Sequence, residues 1–203
     1  MALHRLNSAA VGTVALLLLS CLLSACSNTT KPDFLSTDIT GADFGVNFNL
    51  ADHSGTVRTL ENFKGKAVVI FFGYTNCPDA CPTTMANLAS AVRKLGQDAN
   101  RVQVLFVTLD PENDTPELLQ RYVSGFDPAF LGLSSDIETT KKTAAEFKTF
   151  YHKQVTTKPE SHSVDHSTGT YIYDTKGRLR LYVTNEKGAD VFAHDLAELL
   201  RSG

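Results

Sequence analysis

Residues 67–96, AVVIFFGYTNCPDACPTTMANLASAVRKLG, decide the fold. The first seven, Ala67 to Gly73, form an unbroken apolar, β-branched and aromatic run. Such a run suits a strand covered on both faces, and so the middle of a parallel or mixed sheet. The spacing then predicts a helix over 83–96, with Met85, Leu88, Ala89, Val92 and Leu95 on one apolar stripe and Gly96 at its end. Pro82 suits the first helical position, where its missing N–H is not needed. Cys77 and Cys81 thereby fall between the C-terminal end of a central strand and the start of a helix, where sites in open α/β sheets form. Backbone N–H groups and the helix dipole favour thiolates there.

Outward from this unit the pattern repeats. Residues 102–109, VQVLFVTL, predict a second central strand. Thr115 and Pro116 read as the cap and first residue of a helix, and residues 136–150 as another. Upstream, the alternation over 45–50, a turn at Asp52-His53-Ser54-Gly55 and a return at 57–60 predict a β-hairpin. Residues 152–165, HKQVTTKPESHSVD, read as a polar loop. Two apolar runs around Asp174-Thr175-Lys176-Gly177 predict a second hairpin, and residues 188–201 a closing helix. The order strand–helix–strand–helix, followed by an antiparallel hairpin, gives an α/β fold with a mixed central sheet flanked by helices.

At 203 residues the chain fits one domain. With 42% hydrophobic and 20% charged residues it is no disordered polyelectrolyte. The net charge of −3 and the absence of a dense Lys/Arg block argue against a nucleic-acid surface. Residues 9–23 are apolar and uncharged after His4 and Arg5 but short for a membrane span. A positive start, apolar middle and small-residue exit read as a signal peptide over 1–25. Leu23-Ser24-Ala25-Cys26 looks like a lipobox, so Cys26 is expected to carry lipid. Residues 26–39 are then a lipid-anchored tether and 40–203 the functional domain. The domain is placed at a membrane, on the extracytoplasmic side.

Of four cysteines, Cys21 leaves with the signal and Cys26 is modified, leaving Cys77 and Cys81. A disulfide closing so small a loop adds little stability by chain entropy, so chemistry is the stronger reading. Two nearby thiolates either cycle through a disulfide or bind a soft or borderline metal such as Cu(I) or Zn(II). A metal needs a third ligand. His4 departs with the signal, His53 lies in a polar turn and His194 on the polar side of the last helix. His152, His162 and His166 cluster in or beside the long loop. His166 stands nearest a strand and is the best-placed candidate, with Asp110 or Asp165 available to orient its imidazole. Met85 offers a thioether, but its place on the apolar stripe favours core packing.

Residues 73–82, GYTNCPDACP, and 109–116, LDPENDTP, resemble two signature blocks of the SCO/SenC family. Val164-Asp165-His166-Ser167 and Tyr171-Ile172-Tyr173-Asp174 are similar to the third. The three blocks come in the family's order and spacing, and the similarity spans about residues 40–200. The resemblance implies a thioredoxin-like fold with copper bound by Cys77, Cys81 and His166. It further implies delivery of copper to the binuclear copper centre of cytochrome c oxidase, or thiol chemistry at that centre. His162 departs from the family pattern, in which an aromatic residue is common.

Two thiolates and an imidazole suit Cu(I) and leave Cu(II) room for a further ligand. The CxxxC span is wider than CxxC, letting both sulfurs reach one ion while still permitting a disulfide. The expected protein is therefore a membrane-tethered copper chaperone. Its expected partners are the copper-bearing oxidase subunit, a copper donor and a thiol reductase. The alternative is an extracytoplasmic thiol–disulfide oxidoreductase using Cys77 and Cys81 as its redox pair. A peroxidase would need a dedicated activating pocket for one cysteine, and no such motif is seen.

Overall fold

The computed structural model describes residues 32–154, 163–184 and 186–202. The expected signal peptide, Cys26 with its expected lipid, and His162 lie outside these residues. Ten strands are described: β1 (Thr37–Asp38), β2 (Leu50–Asp52), β3 (Val57–Arg58), β4 (Ala67–Gly73), β5 (Val102–Thr108), β6 (Leu131–Ser134), β7 (Tyr151–Gln154), β8 (Ser163–His166), β9 (Thr170–Tyr173) and β10 (Leu179–Val183). Four α-helices accompany them: α1 (Ala80–Lys94), α2 (Pro116–Ser124), α3 (Ile137–Glu146) and α4 (Ala189–Ser202). Eight strands make one mixed sheet, ordered β1-β10-β9-β4-β5-β6-β2-β3. β4, β5 and β6 run parallel, and β9 lies antiparallel to β4. Every residue of β4 and β5 is buried, as their mainly apolar composition favours; within β5 the polar Gln103 and Thr108 are buried with hydrogen-bond partners.

Local chemistry explains most boundaries. Thr115 caps α2, its hydroxyl accepting the Leu118 N–H at 3.3 Å, with Pro116 next. α1 ends where Gly96 takes φ +58°. It begins at Ala80, three residues earlier than the stripe predicts, so Pro82 is its third residue. That costs no hydrogen bond, because the first helical N–H groups have no intrahelical acceptor. The expected strand over 45–50 shortens to Leu50–Asp52; Gly45 has φ +62° and the Asn47 side chain accepts the Phe48 N–H.

Two differences bear on the site. The helix expected to reach residue 150 stops at Glu146. Lys148 takes φ +52°, its N–H bonds the Ala145 carbonyl at 3.0 Å, and the Thr149 N–H bonds the Ala144 carbonyl at 2.8 Å. This is a Schellman ending built on lysine instead of glycine. The chain then straightens into β7, so the expected loop at 152–165 instead carries strand residues at both ends. β7 pairs antiparallel with β8, in the register Tyr151↔His166, His152↔Asp165 and Lys153↔Val164.

The expected tether also differs at its C-terminal end. The N–H groups of Leu35 and Ser36 donate to the buried Asp195 carboxylate at 2.8 and 3.0 Å, and β1 pairs with β10. Residues 35–38 therefore belong to the folded body. Both hairpins form as expected, and His53 lies in the turn of the first, its Nδ1 accepting the Gly132 N–H at 3.3 Å. His194 contacts Asp195 and is partly exposed.

The first hairpin holds a buried charge. Asp52 accepts the Ser54 hydroxyl at 2.6 Å, the Thr56 N–H at 3.0 Å and the Arg58 Nε at 2.8 Å. Burial alone would raise this carboxyl, but these donors together hold it down to about 2 from 3.8. A lowered carboxyl stabilises the fold above its unfolded pKa, and the gain is lost as pH falls through the folded value. Asp52→Asn is expected to cost about 2 kcal/mol at neutral pH. Urea titrations should show native stability falling between pH 3.8 and about 2, with that component absent from the variant.

Candidate metal centre

The parallel pair β4–β5 ends in register, Gly73 beside Thr108, and the Leu109 N–H closes onto the Gly73 carbonyl at 2.8 Å. Beyond Gly73 the chain turns, with the Cys77 N–H on the Tyr74 carbonyl at 3.3 Å. α1 then starts, and its second residue is Cys81. The Cys81 N–H donates to Cys77 Sγ at 3.4 Å, so one cysteine sulfur caps the helix that carries the other. No side-chain cap comes from Asp79, the residue in the cap position.

The two free thiols differ. Cys77 is half-buried at the surface, whereas Cys81 is fully buried. Burial is the chief cause that pushes the Cys81 thiol well above its ordinary range, opposed by a backbone hydrogen bond at Tyr74 and reinforced by the neighbouring Cys77. Against the expectation that the helix N-terminus favours a thiolate here, burial disfavours the charged form of Cys81, because the charge would lose its solvation. Gly73 is fixed by the same thiol. A Cβ at residue 73 would lie 2.8 Å from Cys81 Sγ and 2.9 Å from Phe106 Cε2.

The loop after β5 supports the cysteine turn from below. Asp114, 2% exposed, accepts the Thr75 hydroxyl and the Thr108 hydroxyl, both at 2.5 Å, and the Thr75 N–H at 3.1 Å. Burial is the largest influence on this carboxyl and raises its pKa against the two hydroxyl donors. Asp114 therefore ties Thr75, two residues before Cys77, to Thr108 at the end of β5. A cavity of about 470 Å³ opens beside this junction, lined by Thr75, Asn76, Asp114, Arg121 and Tyr122 among others. Thr75 and Asp114 fall within the two blocks at 73–82 and 109–116, but nothing in the sequence pairs them with each other or with Thr108.

Asp110 is fully buried. Its carboxylate accepts Asn113 Nδ2 at 2.9 and 3.0 Å and forms an ion pair with Lys153 Nζ at 2.7 Å. Lys153 also meets Glu112 at 2.6 Å. Asp165 is exposed on β8, across from His152. Met85 is buried in the core. Position 166 closes β8, but the His166 side chain lies outside the described ones. Among the described residues, no three His, Cys, Asp or Glu side chains converge on one point.

A mixed sheet flanked by helices, with a thiol pair at the end of parallel strands and the start of a helix, defines a protein of the thioredoxin-like class. The SCO1/SenC family model matches residues 36–201. The chain is 31% identical over 159 residues to the SCO2-like protein RP587 of Rickettsia prowazekii, covering 78% of this chain and 76% of that one. It is 34% identical over 145 residues to the bovine mitochondrial SCO2 homolog, covering 70% of this chain and 54% of the relative, so it spans about half the length of that protein. Copper-bound ScoI of Bradyrhizobium japonicum superposes with a TM-score of 0.71 at 35% identity, covering 78% of this chain and 100% of that one. Apo Sco1 of Thermus thermophilus superposes at 0.75 and 38%, covering 84% of this chain and 99% of that one. BsSco, at 23% identity and a TM-score of 0.62, covers 82% of this chain and 98% of that one and shares the fold; it is described as having a disulfide switch and as one of the Sco family of cytochrome c oxidase assembly proteins. The chain belongs to the SCO1/SenC family.

Proposed function

We propose that the chain carries copper on Cys77, Cys81 and His166 and passes it to the copper-bearing subunit of cytochrome c oxidase. The observation that carries this reading is the thiol pair: two unbridged cysteines, one in the turn before α1 and one in its first turn, with Cys77 Sγ against the Cys81 N–H. Copper bound to a related ScoI supports the choice of metal. Thiolates suit Cu(I), and an imidazole suits Cu(II) as well. The ligands bind as thiolates, so a copper ion entering the site displaces the proton that burial keeps on Cys81. Half-buried Cys77 is the sulfur first met from solvent and the last released. Release by ligand exchange then proceeds from Cys81 outward.

The same asymmetry favours a second reading, in which Cys77 attacks a partner's disulfide and Cys81 resolves the mixed disulfide. Copper stoichiometry of the reduced chain, measured beside a dithiol turnover assay, separates the two. A carrier binds one copper per chain and turns over slowly.

Lipid on Cys26 would hold the domain beside a membrane-bound acceptor and raise its effective concentration there. Among the described residues no helix is long and apolar enough to cross a membrane. A Cys26→Ser chain that is exported and released is expected to fold and bind copper as the native chain does. Its defect should appear in cells as lower oxidase activity when copper is scarce, partly restored by excess copper. Loss of copper binding in vitro by this variant would place Cys26 within the site and overturn the anchor reading.

A further inference from the structure

We propose that Lys153 is a latch that seats the β7–β8 pair, and with it position 166, against the loop beside the two cysteines. This inference rests on the reading of His166 as a copper ligand. β7 and β8 form a sheet of their own, apart from the eight-stranded one. Something other than main-sheet hydrogen bonding must therefore fix their place relative to β5 and the cysteine turn.

Lys153 supplies such a connection. It stands on β7 opposite Val164, and its ammonium bridges Asp110 at 2.7 Å and Glu112 at 2.6 Å in the loop after β5. The Asp110 side chain is 1% exposed and that of Lys153 32%. Removing the ammonium would leave a buried carboxylate short of a partner, unlike the loss of an ordinary surface pair. The far side of the same loop is tied to the cysteine turn, since the Asp114 N–H bonds the Asp110 carbonyl at 2.9 Å and Asp114 holds Thr75. Strand alternation places positions 151, 153, 164 and 166 on one face of the β7–β8 pair. Buried Val164 lies on that face, so the face is the one turned toward the protein. The ion pair thus joins the strand pair bearing position 166 to the loop that holds Thr75, two residues before Cys77. Lys153 acts as a positioning residue.

The test uses the full reduced chain and the variants Lys153→Met, Lys153→Arg and His166→Ala. Methionine keeps the bulk of the stem without the charge, and arginine can still bridge two carboxylates. In the apo protein, Lys153→Met should speed amide hydrogen exchange in β7 and β8 about tenfold, leave β4 unchanged, and be restored by Lys153→Arg. Cu(II) affinity should fall about tenfold in Lys153→Met, as for other outer partners of metal ligands, with Cu(I) affinity falling less. In the His166→Ala background, Lys153→Met should add nothing further.

Unchanged exchange in β7 and β8 would overturn the latch, whatever copper does. An equal loss of Cu(II) affinity in the presence and absence of His166 would also overturn it, by placing the effect on the cysteine side. If His166→Ala leaves Cu(II) affinity intact, the ligand reading fails, and the exchange measurement still decides the latch.

Discussion

Replacing Cys81 by Ser is expected to weaken Cu(I) binding about 100-fold while leaving the fold in place. Four-ligand zinc sites bind with roughly 10–16 kcal/mol, or about 3 kcal/mol per ligand, and about 1.4 kcal/mol is a factor of ten. Serine is nearly isosteric, and Cys81 is fully buried beside Gly73, so the helix start should keep its shape. Cys77→Ser should lose a similar factor in affinity, because it removes the other thiolate. A competition titration against a Cu(I) chelator reads both, with thermal melts reporting on the fold. Near-native affinity in either variant would remove that sulfur from the site.

Oxidation should act more strongly than either substitution. Joining Cys77 and Cys81 transfers two electrons and two protons to an added disulfide oxidant and leaves neither sulfur as a thiolate ligand. At about 3 kcal/mol for each ligand lost, copper affinity should fall by about 10⁴-fold and return on reduction. The geometry is compatible with closure, since Cys77 lies in the turn leading into α1, Cys81 in the first turn of that helix, and Cys77 Sγ already accepts the Cys81 N–H. In the cell such a dependence calls for a reductase that delivers two electrons before copper can load. Equilibrium dialysis of the oxidised chain against copper gives the reading. Tight, stoichiometric binding would show that the thiolates are not what holds the ion.

Both predictions concern the part of the protein most legible in the sequence. β4 and β5 were readable because a strand buried on both faces is built of apolar residues, and residues 67–73 and 102–107 are apolar except Gln103, whose side-chain amide donates to the Ala129 carbonyl at 2.8 Å. The start of α2 was readable because Thr115 and Pro116 act within one turn. The cysteine turn followed from its place between a strand and a helix. What sequence reasoning missed was held by distant partners. Lys148 ends α3 in a backbone region that favours glycine, so the usual sign of a helix end was absent. β7 carries His152, Lys153 and Gln154, a composition that reads as loop, and its charged member is matched by Asp110 more than 40 residues away. The bracing of Thr75 by Asp114 spans 39 residues and had no local signature. Residues 35–38 looked like tether because the carboxylate that receives them, Asp195, lies at the other end of the chain.

The central claim is that copper sits on two sulfurs and one imidazole. Copper-edge X-ray absorption of the reduced, copper-loaded chain tests it most directly, because the scattering shell distinguishes sulfur from nitrogen. One copper per chain with two sulfurs and an imidazole nitrogen, the nitrogen lost in His166→Ala, is the predicted result. A shell without sulfur, or one that His166→Ala leaves unchanged, would contradict the account.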